Sequence, residues 1–163
     1  MTRFDQAMHL AAVCVALLVL APPAMAQSGE RAATAPAAAS KKAHRLALQV
    51  NSNEPATMTL ALNNATNVEQ YYKERGEKIE IEIVTFGPGL HMLRDDTSPV
   101  KDRIKAIAEK SPAISFKACG NTQENMGKAE NKAIPLVAQA ALVKSGVVRL
   151  MELQEQGWTY VRP

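Results

Sequence analysis

Cysteine is scarce in this 163-residue chain: there are two, Cys14 and Cys119. Cys14 falls in a leader expected to be removed, which leaves Cys119 alone in the mature protein. One cysteine excludes an internal disulfide framework. It leaves an intermolecular bridge, a free thiol, or a thiol that carries something. There is no C-x-x-C, so a thioredoxin-type dithiol is excluded as well. The sixth residue beyond Cys119 is Asn125, where a phosphatase-like anion loop would need arginine. Histidine is equally sparse: past the leader only His44 and His91 remain, too few beside one cysteine for a dedicated zinc site. Strong charge is missing too. The net charge is +3 and scattered, which argues against a nucleic-acid partner. The basic pairs Lys41-Lys42 and His44-Arg45 read as solvating charges, and no cofactor is implied.

A membrane-length apolar run is also absent. Leu10 to Leu20 is shorter than the ~20 residues of a spanning helix and suits the apolar region of a secretory signal. Arg3 supplies a weak basic start that Asp5 offsets. Pro22 and Pro23 break the run, and Ala24-Met25-Ala26 is a small-x-small cleavage site. Residues 1–26 are therefore expected to be a signal peptide and the mature chain to start at Gln27, soluble in the periplasm with no membrane attachment. A retained anchor is the alternative. Val13 stands where a lipoprotein site wants a small residue, so lipidation at Cys14 is not expected. Residues 27–43, rich in Ala, Ser and Pro without apolar periodicity, read as a flexible linker. Residues 44–163 are one domain of ordinary size.

What is present is a regular alternation. "RLALQV" predicts a first strand. Asn53 as N-cap and Pro55 in the first turn predict a helix with Met58, Ala61, Leu62, Ala65, Val68 and Tyr72 on one face, stopped at Gly76. "KIEIEIVTF" predicts a second strand with Ile79, Ile81 and Ile83 on one face. Glu80 and Glu82 lie opposite, as a solvated or subunit-facing side. "GPG" ends it, and "LHML" forms a short helical turn. Ser98 and Pro99 open a helix with Val100, Ile104, Ile107 and Ala108 as its buried stripe. "AISFKA" is a third strand, and "NTQENMGKAENK" a polar, exposed helix weakened by Gly127. "PLVAQAALV" holds a short strand of unfixed limits. Ser145 caps a last helix with apolar positions Val147, Val148, Leu150, Met151 and Leu153. Gly157 stops it before the strand "WTYV". Met58, Met92 and Met151 are expected in the core.

Strands alternating with helices imply an α/β domain with a mainly parallel, five-stranded sheet and helices on both faces. Ligands of such sheets sit beyond the carboxyl ends of the strands, near a switch in strand order. Three segments fall there: "NSNEP" with Asn51 and Asn53, "GPGLH" with Gly87, Gly89 and His91, and "CGNT" with Cys119, Gly120, Asn121 and Thr122. These residues form the candidate site, with Asn125 as a further polar neighbour.

The same region resembles the DsrE/DsrF-like proteins, a family that includes sulfur-relay subunits. It is most similar to the exported single-domain members. "EIVTFGPGLHML", "ISFKACGNT" and "SGVVRLMELQEQGWTYVRP" carry the likeness. The resemblance implies assembly into homotrimers or hexamers, and a persulfide-accepting cysteine just after the third strand, the position Cys119 matches. The polar "GNTQENM" after the cysteine departs from the relay subunits, as does export.

For Cys119 two readings stand. As a reactive thiol it would act as the thiolate, stabilised by the unpaired N–H groups of a following helix, with Lys117 on the same strand face. As a small apolar residue it would simply be buried. A Cys119–His91 pair is a third possibility. The leading expectation is a persulfide carrier with an unidentified sulfur donor and acceptor. The rival is an oligomeric binding or structural module with an inert Cys119.

Overall fold

The computed structural model describes residues 43–163, so the expected signal peptide, its cleavage site and linker residues 27–42 lie outside the described residues. The first strand, β1, is His44–Val50. Helix α1, Pro55–Glu74, follows and buries Met58, Ala61, Leu62 and Ala65, the stripe its spacing predicts. Its N-cap is Glu54 rather than Asn53, because the Ser52 hydroxyl takes the Glu54 N–H at 3.1 Å and turns the chain before Pro55. Strand β2 is Ile79–Thr85. The Gly-Pro-Gly that ends it does not simply stop the chain but opens a 3-10 segment, Gly87–Leu93. Helix α2 is Lys101–Lys110 with Val100 as N-cap. The expected cap Ser98 lies two residues earlier, where its hydroxyl donates to the Met92 carbonyl at 2.6 Å and accepts from Val100 N–H.

Strand β3, Ile114–Cys119, runs through the cysteine. Helix α3, Gly120–Glu130, buries no residue, as its polar sequence requires. Strand β4 is confined to Ala140–Val143, helix α4 is Gly146–Glu155, and β5 is Thr159–Val161.

The five strands are all parallel, in the order β4-β3-β2-β1-β5. Stepping from β1 to β4 in one direction, right-handed crossovers put α1, α2 and α3 on one face. The return from β4 to the far side of β1 puts α4 on the other. The large core fills the first face, where Leu46, Leu48, Ile81, Ile83 and Phe116 meet Met58, Leu62 and Ile104. The second face carries a small cluster: Ala47, Val84, Leu150 and Leu153, with Phe86 and Trp158 packed against it.

That second face corrects two sequence expectations. Glu82 is not on a solvated side: it is buried under α4, where Arg149 grips it with two bonds of 2.6 and 2.9 Å. Glu80 is exposed and pairs with Arg45. On α4 itself only Leu150 and Leu153 of the expected apolar positions are buried, while Val147, Val148 and Met151 are about half exposed.

Candidate functional site

Strand order decides what surrounds Cys119. At β3 the chain leaves toward the three-helix face, and at the neighbouring β4 it leaves toward the α4 face. The carboxyl ends of β3 and β4 are therefore the switch point, and two helix amino termini open there side by side. Asn121 N–H donates to the Lys144 carbonyl at 3.2 Å and ties the two openings together. Cys119 is the last residue of β3 and the N-cap of α3, in extended conformation. Strand alternation turns it to the α4 side with Lys117.

Cys119 is buried, with 4% of the residue exposed. Burial pushes the thiol pKa up. The Thr122 hydroxyl and the backbone N–H groups of Gly146, Thr122 and Asn121 act in the opposite sense, and together they hold it below its ordinary value. The cause is local: these N–H groups belong to the first turns of α3 and α4, where no intrahelical acceptor exists. Thr122 is aligned for its part. Its Oγ1 accepts from Gly87 N–H at 3.0 Å, which leaves the hydroxyl proton for the thiolate. The arrangement can stabilise a negative charge on one sulfur atom, the form in which a thiol attacks or carries.

Two glycines permit the assembly. A Cβ on Gly89 would lie 2.2 Å from the Val50 carbonyl oxygen, so only glycine lets the 3-10 segment settle on the end of β1. A Cβ on Gly146 would lie 2.9 Å from the Phe86 ring, so glycine lets the amino end of α4 reach the sulfur.

The other expected site residues divide around the cysteine. Asn53, Gly87, His91 and Thr122 line one groove of about 430 Å³, with Asn125 and Met126. Asn121 lines a second, of about 620 Å³, with Val143, Lys144, Ser145, Val148, Arg149 and Glu152. Gly120 lies between, against the Val143 carbonyl. Asn51 is half-buried at the end of β1 and lines neither groove. A further groove of about 490 Å³, between α1 and β5, contains none of the expected site residues. His91 bonds the Thr97 hydroxyl through its Nδ1 at 2.8 Å, and it is not among the groups that stabilise the thiolate. Among the described residues no three His, Cys, Asp or Glu side chains gather as a metal set. Nor is any described helix long and apolar enough to cross a membrane.

Sequence reasoning missed Gly146. It sits 27 positions beyond Cys119 in the chain, and only the pairing of β4 with β3 brings it there. The Ser145 cap was the available signal, since a capped helix start next to a switch point is an anion site in waiting.

No family model matches this chain, and no curated protein matches it. Among solved structures, the chain is similar to a protein of unknown function, MTH1491 from Methanobacterium thermoautotrophicum. The two share 25% identity and a TM-score of 0.63, over 74% of this chain and 99% of the other. The likeness supports the α/β fold.

Proposed function

We propose that this protein is an exported, DsrE-like sulfur carrier in which Cys119 accepts a sulfur atom as a persulfide. One observation carries the reading: a single buried sulfur sits where two helix amino termini and a pre-oriented hydroxyl favour its anion. The three segments that resemble the DsrE/DsrF-like proteins each supply a part: Gly87 orients Thr122, Cys119 is the acceptor, and Gly146 donates to it.

In the reaction the Cys119 thiolate attacks the outer sulfur of a donor persulfide. A new sulfur–sulfur bond forms, the donor's sulfur–sulfur bond breaks, and its electron pair leaves on the donor thiolate. The exchange is redox-neutral and needs no co-reactant. The same N–H groups then face the terminal persulfide anion. With no second cysteine among the described residues, the adduct has no internal resolving partner, so the sulfur passes to another molecule. The proposal includes a periplasmic location after cleavage at Ala26 and assembly as a homotrimer or hexamer.

The rival, a binding or structural module with an inert thiol, draws on the 4% exposure of Cys119. One experiment separates them. Folded protein is treated with polysulfide and weighed intact, beside Cys119→Ser. A gain of one sulfur in the wild type, absent in the variant, is the expected result. Unmodified protein whose thiol resists alkylation until denatured would replace the carrier with the module.

A further inference from the structure

Helix α4 buries Leu150 and Leu153 against the sheet and leaves Val147, Val148 and Met151 outward, 52%, 49% and 54% exposed. The outward face of the helix carries Val148, Met151 and Glu155, spaced i, i+3, i+7, and Lys144 lies just before its N-cap, Ser145.

The charges at the two ends of this row are opposite, and neither is used internally. No ion pair within the described residues engages Lys144 or Glu155. Glu155 is also badly placed for its own helix. The last turn of α4 contains no base and its first turn no acid, so the carboxylate lies at the negative end of the macrodipole.

We propose that the outer face of α4 binds α4 of a second copy of this chain, antiparallel across a two-fold axis. This rests on the homo-oligomer reading above and specifies its contact. With the axis passing beside Arg149 and Leu150, Val148 of each copy meets Met151 of the other. Lys144 of each copy meets Glu155 of the other, at both ends at once. The spacing closes in sequence, since Val148 and Met151, like Lys144 and Glu155 at the two ends of α4, stand equally far from the level between Arg149 and Leu150. Each Glu155 moves from an unfavourable helix terminus to the favourable amino end of the second α4. A parallel pairing would set Lys144 against Lys144 and Glu155 against Glu155, which the charges oppose. A closed two-fold contact of this kind makes even-numbered assemblies, a dimer or the hexamer, and disfavours an isolated trimer.

The test is sedimentation or light scattering of the full chain at micromolar concentration and low salt, with circular dichroism to confirm folding. The wild type should be an even-numbered particle. Met151→Lys should halve its mass. Lys144→Glu and Glu155→Lys should each weaken association several-fold, and the double variant Lys144→Glu with Glu155→Lys should restore it. A wild-type trimer, or an even-numbered particle indifferent to Met151→Lys, overturns this contact while leaving the oligomer reading intact. A monomeric wild type overturns both. Failure of the double charge reversal to rescue would rule out the antiparallel register.

Discussion

The two faces of the sheet are built on different terms. On one, three crossover helices cover β1, β2 and β3 with a dry core of aliphatic side chains, Phe116 and two methionines. On the other, a single ten-residue helix covers a small apolar cluster and seals a buried carboxylate, Glu82, against Arg149. Apolar burial is non-directional and scales with area, so the first face holds most of the folding free energy. The second has little area to contribute. What it supplies is direction: an ion pair that fixes the orientation of α4, and the α4 amino terminus, which meets that of α3 at one sulfur atom. Most of the stability thus lies on one side of the strands and the cysteine on the other, and the two can be perturbed separately.

The largest effect is expected on the three-helix face. Leu62 is fully buried in the main core, so Leu62→Ala should cost about 2–5 kcal/mol, from lost transfer energy plus the cavity left behind. Denaturant unfolding would measure it. The alkylation rate of Cys119 in the protein that remains folded should be unchanged, because Leu62 touches neither helix terminus at the switch point. A parallel loss of thiol reactivity would show that the two faces are not separable.

How much of this was legible in the sequence follows the same division. The alternating strands and the stripe Met58, Ala61, Leu62, Ala65 are local patterns with a fixed period, so the parallel sheet and its large core could be read directly. Element starts were shifted by a residue or two where a hydroxyl two residues upstream takes the N-cap N–H, as Ser52 and Ser98 do. The second face depends on contacts distant in sequence. Glu82 looks like a solvated strand position because its partner Arg149 is 67 residues away. Val147, Val148 and Met151 look like core because periodicity shows that a helix is apolar, not which of its neighbours is missing. At the candidate site Cys119, Thr122 and Gly87 were foreseeable from strand ends, whereas Gly146 became visible only with the strand order.

A second prediction concerns how α3, which buries nothing of its own, stays attached to the three-helix face. Arg94 is 1% exposed and bonds Asp96 at 2.9 and 2.8 Å and Glu130 at the far end of α3, with Lys132 on the outside. These partners hold the Asp96 carboxyl well below its usual range and that of Glu130 at about 2. Since the folded values lie below the unfolded ones, the clasp contributes in full above the ordinary carboxylate pKa. Its contribution is lost as pH falls from about 4.5 toward about 2. Glu130→Gln should therefore flatten the fall of the unfolding midpoint across that window and leave its slope near neutral pH unchanged. An identical acid limb in the variant would remove Glu130 from the account. The partial exposure of both carboxylates keeps the effect smaller than that of Leu62→Ala.

The smallest change in stability, and the most local test of the surroundings of Cys119, is Thr122→Val. The residue is half-buried in the first turn of α3, and valine keeps its shape while removing the hydroxyl. Two bonds are then lost. Gly87 N–H loses its acceptor at 3.0 Å, and the thiolate loses its side-chain donor. The first loss costs about 1 kcal/mol, the ordinary net value of a neutral hydrogen bond. The second acts on the sulfur, where burial is held in check by Thr122 together with three backbone N–H groups. Without the hydroxyl, the balance moves toward burial and the thiol pKa rises. The pH profile of Cys119 alkylation should shift to higher pH, with the rate at neutral pH falling several-fold and the high-pH plateau preserved. Thr122→Ser, which restores the donor, should recover the profile. If the valine variant titrates like the wild type, the helix termini alone set the state of the sulfur. If serine fails to rescue, the methyl packing of Thr122 matters more than its proton.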